Sequence, residues 1–329
     1  MAQVSVVERR IWNVDRREWD RFAEQHRASY RLSTSHLRPW ALKRALRARV
    51  RLFEVYREGP GGAERVAQCA VGSSSGRHVF LDRLVVADDE PWSEIMGSVL
   101  QALGAGSCQY GWVLSMDPPR EEELRAIPGV RVTDVRELLV DRIDFSDWPN
   151  WDEYWRAIST NVRRNVKKAT GEIDGLRLEV RTGRSALRQV PAIVRLRAAM
   201  YRRKNLPFRP ASATVSAVAN ILSCSQYALT ALATSTAGPL AAFNGMTFAG
   251  DTYYAEGGSE SSNHGASWYL MTQMVERAYT AHPSGSFIMG YMEPSLHDEE
   301  VGGGLLRSRR SLRARSHPGS IVTFQWSPR

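Results

Sequence analysis

Cysteine is scarce in this 329-residue sequence, which has three, at Cys69, Cys108 and Cys224. They are far apart, and neither a CxxC pair nor a cysteine–histidine cluster accompanies them. The pattern therefore predicts neither a disulfide framework nor a zinc site. We expect reduced thiols in apolar surroundings, no metal and a cytoplasmic location.

Membrane and secretion signals are also missing. The amino terminus has no apolar core of the kind that secretory signals carry. Residues 210–250 contain no charged side chain, but they are rich in Ser, Thr, Asn and Gly, and "TSTAGP" interrupts them. We interpret this stretch as strands joined by a turn, and we expect no stable membrane insertion. The sequence lacks GxSxG, P-loop and HExxH motifs, so a covalent enzyme intermediate is not expected.

Negative charge is in deficit, with 35 acidic residues against 44 Lys and Arg and a formal net charge of +9. Such a balance favours polyanionic partners, namely nucleic acid, an anionic membrane surface or phosphorylated small molecules. A GC-rich genome also produces arginine-rich proteins, so charge alone does not identify the partner.

The pattern of apolar residues divides the chain into two similar halves. In the first half it predicts elements at residues 15–27, 35–47, 50–56, 64–71, 77–86, 91–103, 110–116, 121–126 and 130–140. In the second half it predicts elements at 187–203, 213–223, 227–235, 239–248, 251–257, 266–281, 286–291, 304–315 and 320–326. Both halves have the order ααβββαβαβ, which indicates one α/β architecture used twice rather than a chance agreement.

The linker "FSDWPN" at 145–150 separates the two predicted domains, 1–147 and 148–329. A basic helical arm at 151–174 opens the second domain. Within it, "NVRRNVKKAT" stacks like charges at i,i+4, an arrangement that weakens an isolated helix unless it is solvated or meets an anion.

The order ααβββαβαβ matches the GNAT acyltransferase fold, and two GNAT units with a basic arm between them resemble the FemABX-like superfamily. The resemblance rests on five segments: "YYAEGGSE" (253–260), "SWYLMTQMVERAYT" (267–280), "FIMGY" (287–291), "GLLRSRRSLR" (304–313) and "NVRRNVKKAT" (161–170). It implies two tandem GNAT-like (acyl-CoA N-acyltransferase fold) domains with mixed β-sheets. The first would be degenerate and lie on the acceptor side, and the second would hold the active-site cleft.

Members of the superfamily transfer an amino acid from aminoacyl-tRNA to small amines or peptides, often in antibiotic biosynthesis. Three positions here depart from the family pattern: Met289 lies near a usual acidic residue, Ser308 replaces Phe, and Arg309 replaces Lys. The family lysine is implicated in stabilising the reacting acyl group. The resemblance therefore implies that Arg309 stabilises the oxyanion or the 3′-terminal phosphate, with a different geometry.

An aminoacyl-tRNA donor requires a basic surface for the phosphates of its acceptor end. Two tracts offer one, and their predicted tRNA-binding residues are Arg156, Arg163, Arg164, Lys167, Lys168, Arg307, Arg310 and Arg313. Trp151, Tyr154 and Trp155 could stack on bases. The alternative is that the tracts are solvated faces and the aromatic side chains belong to the core.

An acyl-CoA donor would instead need a glycine-rich turn at a helix N-terminus. The first half has Asp88, Asp89 and Glu90 at that turn, which disfavours phosphate there. The second half has "GGSESSNHGASW" (257–268), whose glycines lack the required spacing and which contains Glu260. These turns weaken the acyl-CoA alternative without excluding it.

Candidate general bases are Glu256 and His264, although Glu256 could pair with an arginine and His264 could be a surface residue. For the acceptor, the resemblance implies an anion-binding arginine, best matched by Arg203, which could equally decorate a helix C-terminus. It also implies substrate binding by Tyr253, Tyr254, Gly257, Gly258 and Ser259.

Together these features predict an aminoacyl-tRNA-dependent transferase. It would form an amide bond on a small peptide or modified amino acid. Aminoacyl-tRNA would be its co-substrate, and it would need no cofactor. The alternatives are an acyl-CoA-dependent N-acyltransferase and a non-catalytic tandem GNAT protein that binds RNA or another protein.

Overall fold

The computed structural model describes residues 4–59, 61–115, 117–260, 265–296 and 300–328, without the side chains of 296 and 300–304. The chain forms two compact units. One contains Met1–Val140 with Pro318–Arg329, and the other contains Asp141–His317. This division differs from the predicted domains 1–147 and 148–329, because the last strand hydrogen-bonds within the first unit.

The first unit contains seven strands and four helices among the described residues. They are β1 (Val4–Arg10), α1 (Arg16–Gln25), α2 (Thr34–Arg44), β2 (Arg49–Gly59), β3 (Gly62–Ser74), β4 (Arg77–Phe80), β5 (Val85–Val86), α3 (Trp92–Leu103), β6 (Gly106–Tyr110), α4 (Glu121–Ala126) and β7 (Val130–Asp144), whose last residues enter the second unit. The C-terminal strand, numbered β13 below, completes this unit.

Helix α1 shows how local sequence sets these elements. Asp15 accepts hydrogen bonds from the backbone N–H groups of Arg17 and Glu18, as a helix N-cap does. Trp19 and Phe22 lie on the buried face, and the Trp19 indole donates a 2.7 Å hydrogen bond to the Leu32 carbonyl. The predicted helix start at residue 15 is thereby confirmed.

The sheet of the first unit has the order β1-β2-β3-β4-β6, with β13 (Arg315–Trp326) next to β6 and β7 beyond it. Strands β4 and β6 are parallel, whereas β13 runs antiparallel to β6. The core of this unit includes the large buried side chains of Phe53, Phe80, Trp92, Phe324 and Trp326.

The second unit repeats this arrangement after two short helices. Its elements are α5 (Trp151–Ala157), α6 (Thr160–Glu172), β8 (Arg177–Thr182), α7 (Val190–Arg203), α8 (Pro210–Ser223), β9 (Ala228–Ser235), β10 (Gly238–Phe248), β11 (Asp251–Ser259), α9 (Ala266–Ala281), β12 (Ser286–Met292) and α10 (Glu300–Ser311). Strand order is β12-β11-β10-β9-β8, with the end of β7 beside β12. Strands β11 and β12 are parallel, and their core surrounds Phe243 and Phe287.

Several predicted elements need correction. Each repeat begins with an unpredicted strand, β1 or β8, so the order is βααβββαβαβ, to which the first repeat adds the two-residue strand β5. The arm at 151–174 is two helices, because extended backbone at Ile158 and Ser159 separates them. The predicted strand at 110–116 is wrong: β6 ends at Tyr110, and Gly111 has a φ of +99°.

By length and hydropathy, every helix in the described part of the chain falls short of a membrane span. The three cysteine side chains are buried, as predicted. Burial raises the pKa of the Cys108 and Cys224 thiols to about 12, which disfavours thiolate chemistry.

Candidate functional site

A cavity of about 290 Å³ lies in the second unit, lined by residues from α7, β10, β11, α9, β12 and α10. It forms where the parallel strands β11 and β12 separate. The strands pair at Thr252–Phe287 and Tyr253–Ile288. Beyond that point Tyr254 and Gly257 of β11 line the cavity. A register shift between Asn244 and Gly245 marks the same place in the β10–β11 pairing, as a bulge that re-aims side chains does.

Arg309, on α10, supplies positive charge to the cavity wall. Its side chain is 8% exposed, and Nη1 donates a 2.6 Å hydrogen bond to Oδ2 of Asp141. The other oxygen of Asp141 accepts a 2.6 Å hydrogen bond from the Ser316 hydroxyl. Gly290 has a φ of +126°, and a Cβ there would collide with the guanidinium. The glycine therefore makes room for Arg309.

Tyr254 lines the cavity from β11, and its ring packs on Phe243 with centroids 5.4 Å apart. Burial, reinforced by the charge of Glu256, raises the pKa of the phenol to about 12, although nearby Arg309 and Arg197 act in the opposite direction. The phenol is therefore protonated at neutral pH and can donate a hydrogen bond. The preceding Tyr253 is 1% exposed and lies outside the cavity lining.

Glu256, one of the predicted bases, has partners at both carboxylate oxygens. Oε2 forms an ion pair with Arg197 of α7, and Oε1 accepts a 2.9 Å hydrogen bond from the Asn244 amide. The structure therefore shows the arginine pairing that the sequence left open. The other predicted base, His264, lies outside the described residues.

Arg203 fastens the end of α7 to the end of β11. Its Nη1 donates to the Ser259 and Glu260 carbonyl oxygens at 3.1 and 2.5 Å, and its Nη2 donates to the Ser259 hydroxyl at 3.2 Å. These bonds occupy the guanidinium that was predicted to bind an anionic acceptor. Ser259, Gly257 and Gly258 all line the cavity.

Gly258 also has a packing role. A Cβ at this position would lie 2.5 Å from the backbone nitrogen of Arg197. Only a residue without a side chain allows α7 to approach β11 this closely.

The first basic tract lies on α6. Arg164, Lys167 and Lys168 are exposed and Arg163 is half-buried, whereas Val162 and Ala169 on the other face are buried. Lys168 lies 3.7 Å from Glu172. Arg156, on α5, pairs with Glu153 at 2.8 Å.

The structure joins the second basic tract to the first. The Ser159 N–H donates to the Ser311 carbonyl at 2.9 Å, and Nε of Arg313 donates to the Ala157 carbonyl at 2.5 Å. The Tyr154 hydroxyl, which is buried, donates to the Leu312 carbonyl at 2.8 Å. Tyr154 is therefore a core residue, and Trp151 and Trp155 pack against the same core.

Arg307 and Arg310 lie exposed on α10, whereas Arg309, which lies between them in the sequence, is buried. We call the joined tracts the basic surface, comprising Arg163, Arg164, Lys167, Lys168, Arg307, Arg310 and Arg313. Helix α10 therefore carries Leu305, Ser308 and Arg309 in the cavity wall and the exposed Arg307 and Arg310 on another face.

Sequence reasoning missed Asp141, Arg197 and Asn244. Asp141 left a signal, since it interrupts the apolar run "LLVDRID" at 138–144. A charged residue inside a buried strand indicates a buried partner. The identity of that partner had no comparable signal, because Arg309 is 168 positions away.

No family model matches the chain, and no curated protein matches it in sequence. Solved structures do match. The crystal structure of FemX has a TM-score of 0.71 over 96% of both chains, at 13% identity. L-PGS from Bacillus licheniformis has a TM-score of 0.54, with 13% identity over 94% of this chain and 91% of its own. A tandem GNAT protein from the clavulanic acid biosynthesis pathway has a TM-score of 0.50, with 12% identity over 99% of this chain and all of its own.

These likenesses establish the fold. The chain has the fold of FemX and of the tandem GNAT protein, so the predicted resemblance is confirmed as a likeness of fold. The predicted fold class, with two GNAT-like parts and mixed sheets, is confirmed with it.

Proposed function

We propose that this protein is an aminoacyl-tRNA-dependent transferase that forms an amide bond between a tRNA-borne amino acid and the amine of a small peptide or modified amino acid. One observation carries the proposal: helix α10 places a buried cation, Arg309, in the cavity wall and carries exposed arginines of the basic surface on another face. The first feature suits an acyl group at which negative charge develops. The second suits the phosphates of a tRNA acceptor end.

The chemistry asks little of the protein, because an aminoacyl ester is already activated. The acceptor nitrogen attacks the ester carbonyl, a C–N bond forms, and the C–O bond to the ribose breaks. The proton leaving the amine passes to the departing ribose oxygen. Arg309 and the protonated Tyr254 phenol, both at the cavity wall, supply donors for the developing oxyanion.

In this proposal Glu256 positions α7 against β11 through Arg197 rather than accepting a proton, since both of its oxygens have partners. The cavity is shaped by four residues of β11, which are Tyr254, Gly257, Gly258 and Ser259. We expect the acceptor to resemble an amino acid. We also expect the protein to act in the cytoplasm, in specialised metabolism.

One observation favours the acyl-CoA alternative. The first turn of α9 contributes Gly265 and Ser267 to the cavity lining, and a helix N-terminus attracts phosphate. Gly265 has a φ of +68°, and a Cβ there would collide with the Asn165 carbonyl of α6. This close packing gives the glycine a structural role independent of any phosphate.

The deciding experiment is a donor titration of the purified protein. Total aminoacylated tRNA, the same tRNA after deacylation, and acetyl-CoA are titrated separately, and each tRNA titration is repeated across a salt series. We expect affinity for tRNA to fall steeply with salt, a preference for the aminoacylated form, and no saturable binding of acetyl-CoA.

Saturable acetyl-CoA binding without tRNA affinity would contradict the proposal and support the acyl-CoA alternative. Equal affinity for charged and deacylated tRNA, with no amide product from a panel of amino acids and dipeptides, would favour the non-catalytic RNA-binding alternative.

A further inference from the structure

The cavity presents a largely apolar wall to whatever group it binds. Its large aliphatic side chains are Met200, Leu270, Met271, Met289, Leu305 and Leu312, and Ala241, Ala242 and Trp268 also line it. Burying an apolar group against such walls lowers the free energy of binding, and burying a polar group there without a hydrogen-bond partner raises it. Three of the six are methionines, which adapt their shape to a ligand more readily than branched side chains do.

The charge at the wall has a definite sign. Among the described lining residues, Arg309 is the charged one, and its guanidinium is held by Asp141 at 2.6 Å. A cationic side chain in the cavity would lose its hydration and face a like charge. An anionic side chain would also lose its hydration, and the guanidinium that it would meet is already paired with Asp141. Both arrangements cost free energy, whereas an apolar side chain incurs neither cost.

The size of the cavity sets an approximate upper bound on the group. An engineered cavity of about 150 Å³ with apolar walls accommodates benzene. The cavity here, at about 290 Å³, has room for a side chain of that size together with a reacting carbonyl and an attacking amine.

We propose that the group transferred by this protein is an apolar acyl group with a Leu-, Met- or Phe-sized side chain. This inference rests on the proposed transferase function and specifies its substrate class. The same chemistry could arrive on tRNA or on coenzyme A, so the experiment contains an arm for each source.

The test measures equilibrium affinities for probes that carry different acyl groups, without an acceptor amine. The tRNA arm uses adenosine carrying a 3′-amide-linked leucyl, phenylalanyl, alanyl, lysyl or glutamyl group, and the CoA arm uses isovaleryl-CoA against acetyl-CoA. We expect the leucyl and phenylalanyl probes to bind at least about tenfold more tightly than the alanyl, lysyl and glutamyl probes, because each buried methylene contributes about tenfold or more.

The outcomes separate this inference from the proposed function. Preference for isovaleryl-CoA, with no binding of adenosine probes, would support the apolar group and contradict the tRNA donor. Equal or tighter binding of the lysyl, glutamyl or alanyl probe would overturn the apolar group while leaving a tRNA donor standing. Failure of every probe to bind would overturn both.

Two variants locate the effect in the cavity. Met289→Glu places an anion in the wall and should reverse the preference between the leucyl and lysyl probes. Because Met289 is buried, this variant could fail to fold, so Ser308→Phe fills the cavity from a half-buried lining position instead. It should weaken phenylalanyl binding by about tenfold or more and alanyl binding less. Ser223→Phe, on α8 and outside the lining, is the matched control and should change neither affinity.

Discussion

The two repeats share one order of elements but differ in charge at equivalent places. Helix α4 of the first repeat has three glutamates and one arginine, whereas its counterpart α10 has one glutamate and three arginines, Arg307, Arg309 and Arg310. The turn before α3 contains Asp88, Asp89 and Glu90, and Glu90 is paired with Arg57 at 2.7 Å. The turn before α9 ends at Gly265, which lines the cavity. The fold therefore tolerates either charge, and the second repeat places a cation, Arg309, in the wall of a cavity.

The buried charges of the two repeats also differ in how they are compensated. In the first repeat, Glu54 is buried with two arginines, Arg9 at 3.0 Å and Arg65 at 2.7 Å. In the second unit, Asp141 has one arginine, Arg309, and the hydroxyl of Ser316. A carboxylate with a single cationic partner depends entirely on it, so substitution should affect the two repeats unequally.

The largest effect is expected for Arg309→Met. It leaves the Asp141 carboxylate buried without a cation, which costs about 3–5 kcal/mol of unfolding free energy. Arg9→Met, in the first repeat, should cost about 1 kcal/mol or less, because Arg9 is half exposed and Arg65 remains. Urea unfolding measures both. Adding Asp141→Asn to Arg309→Met should recover part of the loss, and equal costs for the two single variants would contradict the comparison.

The next effect concerns the basic surface. Changing Arg163, Arg164, Lys167 and Lys168 to Glu should weaken tRNA binding on the order of 100-fold and flatten its salt dependence. The matched control makes the same charge change at four exposed arginines of the first unit, Arg16, Arg17, Arg21 and Arg47. Filter binding across a salt series compares the two. Similar losses would show that net charge, rather than this surface, drives binding.

Two Gly→Ala substitutions are expected to change the stability of the protein by smaller amounts, one lowering it and the other raising it. At Gly258 the new Cβ collides with the backbone of Arg197, so Gly258→Ala should destabilise the protein by about 1–3 kcal/mol. At Gly97 of α3 the Cβ would lie 3.8 Å from Ile127, an ordinary contact. Gly97→Ala should therefore stabilise the protein by about 0.5–1 kcal/mol. Thermal unfolding reports both shifts, and a stabilising Gly258→Ala would disprove the close packing.

The smallest effect is a pH dependence from Tyr254. Burial raises the pKa of its phenol to about 12 in the folded protein, whereas an unfolded tyrosine ionises near 10. Between these values the unfolded chain releases the proton first, so stability falls as pH rises. Tyr254→Phe should lose about 1 kcal/mol less than the unsubstituted protein between pH 10 and 11. Parallel curves from urea unfolding would show that Tyr254 ionises normally.

Most of the fold could be predicted because the buried strands and helices carry clear apolar periods. Helices α4 and α9 have the predicted boundaries. The missed strands β1 ("VSVVERR") and β8 ("RLEVRT") lie at the ends of the strand order. Edge strands carry charge that discourages pairing with other chains, and the charge hides their alternation.

The site was predictable where sequence resemblance and a local rule agreed. Arg309 and Tyr254 both line the cavity. Tyr253 lies outside the lining, because successive residues of a strand point to opposite faces of the sheet. The sequence alone does not say which of the two faces meets the cavity. Arg203 was predicted to bind an anion, and in the structure it donates hydrogen bonds to carbonyl oxygens 56 and 57 positions away, which sequence alone does not reveal.

The position of β13 has a consequence for the order in which the protein is made. This strand pairs with β6, with Val322 opposite Tyr110, and completes the sheet of the first unit. It is translated after the whole second unit, a delay on the order of ten seconds at ordinary elongation rates. During that time β6 has an open edge on the nascent chain. The unit whose translation begins first is therefore the last to complete its sheet.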